Sequence, residues 1–211
     1  MIQISVKGLA KYMHSGPATQ RKVLRDFKYP DPEGSAQAKY YREARKWIVA
    51  YHQNDHDESW LHRKADQLDL RAGHQGGHSA VRLGNNARAL RHYVRAFAGK
   101  PFEVLSELKL DLIYGPVRIT VAPELHVLEK GKERIIKLDF SKTAPDTKLV
   151  KTITQAMFEA ATQHGLQLPP SSVLYMDVTR HKVHRGARMG ARLSRDIEAA
   201  CQNITAIWDG L

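Results

Sequence analysis

The chain has 211 residues, 42% of them hydrophobic, enough to bury a proper core and too many for a disordered polyelectrolyte. Lys and Arg outnumber Asp and Glu by eleven, which points to a polyanionic partner, nucleic acid before membrane, because no basic helix carries an apolar, aromatic-rich face. No apolar run approaches twenty residues, the N-terminus lacks a secretory pattern, and Cys201 is the single cysteine. A reducing, cytoplasmic setting is the simplest expectation.

Taken in chain order, residues 3 to 13 read as a short strand running into a helix. Asp31-Pro32-Glu33-Gly34 marks a loop. Helical spacing of Tyr40, Ala44, Trp47, Ile48 and Tyr51 predicts a helix from Ser35 to about His52. Ser59 is the expected cap of a second helix, Trp60 to Ala72, and a third covers Ala80 to Phe97, with Gly73 to His78 as a flexible break between them. The local pattern leaves residues 103 to 114 open between helix and strand. Val117 to Val121 alternates as a half-buried strand does, Leu125 to Leu128 continues after Pro123, and a Gly131 turn leads into Arg134 to Phe140. An amphipathic helix, Thr147 to His164, a strand, Ser172 to Val178, and a helix, Ser194 to Trp208, complete the chain. The expectation is an α/β protein: a helical N-terminal region, 1–101, before a small mixed sheet flanked by helices, 102–211, the two forming one compact unit.

Chemistry concentrates on the central strands. Glu124 follows Pro123, Asp139 ends the next strand, and Lys137 and Ser141 share the face of Asp139. Two carboxylates on neighbouring strands can hold a hard cation such as Mg²⁺, which activates a water against a phosphodiester. The same two acids could equally be strand-end carboxylates paired with Arg118, Lys137 or Lys142.

Pro123-Glu124, Asp139-Phe140-Ser141, Gln155 and nearby Phe158, with the Ser5-x-x-x-Leu9-x-x-Tyr12 opening, resemble the PD-(D/E)XK nuclease superfamily in its RecB-like branch. The resemblance covers about half the chain. It implies a restriction-endonuclease-like core, Mg²⁺ held by Glu124 and Asp139, and Gln155 orienting the site. Ser141 stands where the family carries its catalytic lysine, and a hydroxyl cannot supply that charge; Lys137 is the candidate migrated substitute. The resemblance therefore implies a DNA-binding scaffold with weakened or lost phosphodiesterase activity. An active Mg²⁺-dependent nuclease using Lys137, and a non-catalytic protein–protein adaptor, are the rival readings.

Two basic stripes are the expected nucleic-acid contacts. One is the segment holding Arg180, Lys182, Arg185, Arg188, Arg192 and Arg195, of which the last four fall at helical spacing, or else in a mobile loop weakened by Gly186 and Gly190. The other is Arg88, Arg91 and Arg95 on the third helix. His52 with His56, and His62, His74 and His78, lack zinc-site partners and read as structural or surface residues. Cys201 and the three tryptophans read as packing residues.

Overall fold

A computed structural model describes residues 1–30, 40–55, 57–187 and 191–211. The expected loop at Asp31 to Gly34, residues 35–39 of the expected first long helix, His56, Arg188 and Gly190 lie outside the described residues.

Strand β1 (Ile2–Ser5) runs into α1 (Val6–Met13), and α2 is Pro17–Lys28. Three helices follow: α3 (Arg42–Gln53), α4 (Glu58–Gly73) and α5 (Gly77–Phe97). Helix α4 is capped by Asp57, whose side chain accepts from the Trp60 amide, and not by Ser59, whose hydroxyl instead donates to Asp57. A carboxylate is the better cap, since it also meets the positive end of the helix dipole. Helix α5 starts one turn earlier than its apolar pattern indicates, and only residues 74–76 separate it from α4.

The undecided stretch 103–114 is strand, β2 (Phe102–Val104) and β3 (Leu110–Tyr114). Strands β4 (Val117–Val121), β5 (Leu125–Glu129) and β6 (Lys132–Asp139) follow, then α6 (Thr147–Gln163), β7 (Val173–Asp177), β8 (Lys182–Arg185) and α7 (Ala191–Trp208). The expected single sheet is two mixed sheets, ordered β1-β4-β3 and β2-β5-β6-β7-β8. Residues 122–124 account for the split. Pro123 has no amide hydrogen to extend a ladder, so pairing to β3 stops at Val121 and pairing to β6 resumes at Leu125. The β5–β6 hairpin turns through Lys130 and Gly131, both at positive φ, the backbone a tight two-residue turn requires.

Strand β1 lies parallel to β4, with Ile2 opposite Val117 and Ser5 opposite Thr120, so the front of the chain is built into a sheet of the back. The five-stranded sheet is buried on both faces. Ile135, Val173 and Tyr175 face a core made with α1, α2, α6, α7 and the small sheet. Ile136, Leu138, Leu174 and Met176 face a second core made with α3, α4 and α5. Alternation along β6 therefore puts Ile135, Lys137 and Asp139 on one face, and the same face carries the site.

Candidate functional site

The site lies at the carboxyl ends of the parallel pair β6 and β7. Leu125 pairs with Ile136, and the Glu124 amide donates to the Ile136 carbonyl at 2.9 Å, which sets Glu124 beside Lys137. Lys137 is in register with Tyr175, and Asp139 with Asp177. The Glu124 carboxylate is saturated. Its Oε1 accepts from Lys137 Nζ at 2.9 Å and faces Arg45 Nε at 3.3 Å, while its Oε2 accepts from the Leu138 amide at 2.8 Å. Lys137 Nζ also donates to the Ala122 carbonyl at 2.8 Å.

Asp139 is held differently. Its Oδ1 accepts from Lys7 Nζ at 2.8 Å and from Ser141 Oγ at 2.9 Å, whereas its buried Oδ2 has no hydrogen-bond partner among the described residues. The Lys7 ammonium comes from the first turn of α1, which Ser5 caps by accepting from the Gly8 amide and which β1 delivers by pairing with β4. Burial pushes the Asp139 carboxyl up, but Lys7, and then the Ser141 hydroxyl, more than offset it, leaving the group below its ordinary value. Burial lowers the Lys137 ammonium, and Glu124 recovers only part of the shift. Burial, then the neighbouring Asp139 charge, push the Tyr175 hydroxyl well up, so it stays neutral.

Three protein cations, Lys7, Arg45 and Lys137, thus serve two carboxylates. Asp177 is fully buried and separately matched by Arg180 at 3.1 Å. A Mg²⁺ ion takes near-octahedral oxygen donors and needs unshared negative charge. Only Asp139 Oδ2 offers a carboxylate oxygen without a hydrogen bond here, and no group of three potential ligands assembles among the described residues. The residues as arranged do not fit the metal: it would have to displace Lys7 from Asp139 or Lys137 from Glu124.

No protein-family model matches the chain, and no curated protein matches it in sequence.

The structure brings Glu124, Asp139 and Lys137 together but ties Gln155 elsewhere. The Gln155 amide donates to Glu159 on its own helix at 2.7 Å and to Ser194 on α7 at 3.3 Å. Lys7, Arg45 and Tyr175 are site residues that sequence reasoning did not single out. Lys7 falls inside the Ser5 to Tyr12 spacing; Arg45 carried no signal beyond being a cation on a helix.

The basic residues redistribute. Arg185 is in β8, opposite Leu174, so the helical face expected for Arg185, Arg188, Arg192 and Arg195 does not form. Arg192 and Arg195 are exposed on α7. Lys182, opposite Asp177, stands at the site end of β8, about 10 Å along the strand from Arg185. The Arg180 guanidinium spans Asp177 and the carbonyls of Ser141 and Lys142, pinning the loop after β6. On α5, Arg91 turns to α4 and pairs with Asp66 and Asp69 at 2.7 Å each. Arg88 and Arg95 are exposed, and between them His92 Nδ1 meets His181 Nε2 of the β7–β8 turn at 3.1 Å. Burial, the His181 ring and the two arginines lower the His92 pKa. Contact between His92 and His181 thus joins the α5 stripe to Arg180 and Lys182, two features far apart in sequence.

The remaining candidates are structural. His52 bonds the Tyr93 hydroxyl at 2.7 Å, and burial lowers its pKa to about 4. Cys201 is buried, its thiol pushed up to about 11. Trp47 and Trp60 pack edge to face, with Lys64 over both rings.

Proposed function

We propose that the chain binds nucleic acid, DNA first, on a restriction-endonuclease-like core whose metal-dependent phosphodiesterase chemistry is weakened or lost. The order β3, β4 with β5, β6, α6, β7 supports that core, with the two acids on neighbouring strands of one face. The observation that carries the loss of chemistry is the pairing of both acids with protein cations. Lys7 holds Asp139, and Lys137 with Arg45 holds Glu124, so the notch is net positive before any ligand arrives. A positive notch favours a phosphate over Mg²⁺.

Around it, the exposed Arg88, Arg95 and Lys182 supply cations suited to phosphate oxygens. No described feature reads a base edge, so binding is set by the backbone and by salt.

The test is affinity for labelled single-stranded and duplex DNA in EDTA across a salt series, with cleavage followed separately in Mg²⁺ and Mn²⁺. Binding that weakens steeply with salt and yields no products supports the reading. Metal-dependent cutting lost in Asp139→Asn would replace it with an active nuclease. Absence of DNA binding at low salt would remove it.

A further inference from the structure

Helix α5 packs on one face of the five-stranded sheet, and the β7–β8 turn meets it through His181. On the other side, α1 and α6 carry a second basic surface that the proposed function leaves unused. Lys7, Lys11 and His14 stand at i, i+4 and i+7, on one side of α1 and its C-terminal cap. Lys7 marks the inner end of that face by its bond to Asp139, and His14 marks the outer end by its 2.8 Å bond to Thr152 of α6. Lys11, between them, is exposed. Lys148 precedes Thr152 by one helical turn and Lys151 precedes it by one residue, so both lie on α6 beside α1, and both are exposed. Helix α1 contains no acid, and in α6 the first is Glu159, three turns along. The Asp146 carboxylate before α6 accepts from the Lys148 amide at the helix N-terminus.

We infer that a polynucleotide backbone crosses the notch, passing from the Arg88–Arg95 side to a second phosphate-binding ridge made by Lys11, Lys148 and Lys151. The inference rests on the proposed nucleic-acid reading and gives it a path. Lys7 is the hinge of that path: its side chain is 40% exposed while its ammonium holds Asp139, so it stands at the junction of notch and ridge. The loop after β6, pinned by Arg180, leads from Asp139 to the start of α6. A strand lying this way meets cations along its length and never has to enter the notch with a reactive phosphate.

The ridge is tested by the triple variant Lys11→Gln, Lys148→Gln, Lys151→Gln, set against a charge-matched control, Arg63→Gln, Lys130→Gln, Lys132→Gln. The control cations lie on α4 and at the hairpin end of β6, away from Asp139. Circular dichroism and thermal melts establish that both variants fold. Affinity for a labelled oligonucleotide, single-stranded in one arm and duplex in the other, is measured against salt in EDTA.

Each lost phosphate contact reduces the slope of log affinity against log salt by about 0.9 for duplex or 0.7 for single strands. The ridge variant is expected to lose about 2 to 3 from the slope while the control loses much less. The arm that loses more contacts, its slope change divided by about 0.9 for duplex or about 0.7 for single strands, identifies the strandedness of the ligand. Equal slopes for ridge and control variants, with binding lost in Arg88→Gln/Arg95→Gln, would overturn the path and leave the nucleic-acid reading standing. A wild-type protein that binds neither oligonucleotide would overturn both.

Discussion

Lys7 and Asp139, separated by 132 residues, meet through a 2.8 Å bond from ammonium to carboxylate. The cation on this strand-end carboxylate therefore comes from the first helix and not from β6 or the loop that follows it. Ser141 itself donates to the same carboxylate oxygen.

Replacing Lys7 by Met leaves a carboxylate with a side chain 3% exposed and no cation on it. The exposed half of Lys7 limits what the pair itself contributes to under about 1 kcal/mol. The Asp139 charge left in the core costs more, about 1–3 kcal/mol. Lys7→Met should therefore lower the urea midpoint, and adding Asp139→Asn should recover much of the loss. A double variant no more stable than Lys7→Met alone would show that the two residues are not coupled.

At Glu124 the burial is deeper on both sides, with side-chain exposures of 8% for the acid and 12% for Lys137. Glu124→Gln strands the buried Lys137 ammonium without its carboxylate, at a cost of about 3–5 kcal/mol. Lys137→Met in the same chain removes one stranded charge and should return a large part of that stability. Chemical denaturation of the two single variants and the double variant separates these effects.

The carboxylates are blocked by protein cations, so removing those cations should unmask a divalent site. Lys7→Ala/Lys137→Ala releases Asp139 Oδ1 and relieves Glu124 Oε1 of one of its two cations. Its melting temperature is expected to rise with added Mn²⁺, by the equivalent of about 2.7 kcal/mol at a hundredfold excess over Kd. The wild-type protein should show no such rise. A Mn²⁺ shift of equal size in both proteins would mean that the native acids already accept the ion.

His52 makes stability depend on pH. Its folded-state pKa lies near 4 against the ordinary 6.5, because burial disfavours the charged ring. Above 6.5 neither state holds the proton and the contribution is complete. As pH falls from 6.5 toward 4, the unfolded chain takes up a proton that the folded chain refuses, and about 3 kcal/mol is lost. His92, also lowered, acts in the same direction, so the test is a difference. Denaturation midpoints of the wild type and of His52→Gln, followed from neutral pH into the acid range, should converge as the pH drops.

Elements with strong local periodicity were legible before any coordinates. Two-residue alternation identifies β4, the Gly131 turn identifies β6 as the hairpin partner of β5, and 3.6-residue spacing identifies α6 to within a residue at its end. The start of the α5 pattern was read late because its first turn is polar. Strands β2 and β3 are ambiguous for another reason: β2 has only three residues, and in β3 the exposed Ile113 on the outward face breaks the alternation. Arg185 misled because spacing of three and four looks helical wherever it occurs, while tertiary pairing with β7 made that residue part of a strand. The cap falls on Asp57 and not Ser59, a choice between two capping residues two positions apart that local sequence leaves open.

By itself the sequence determined that Lys137 and Asp139 share a face of one strand, that Glu124 enters the neighbouring one, and that the chain carries a large positive excess. Those are consequences of backbone geometry and of counting, and they need no knowledge of what lies opposite. Only the tertiary structure decided which charge meets which. It sent Lys7 to Asp139, Arg45 to Glu124, Arg91 to the α4 acids, and His92 to His181. Coulomb energies and hydrogen bonds depend on distance through space, and residues 79 or 132 positions apart acquire such a distance only when strands and helices pack.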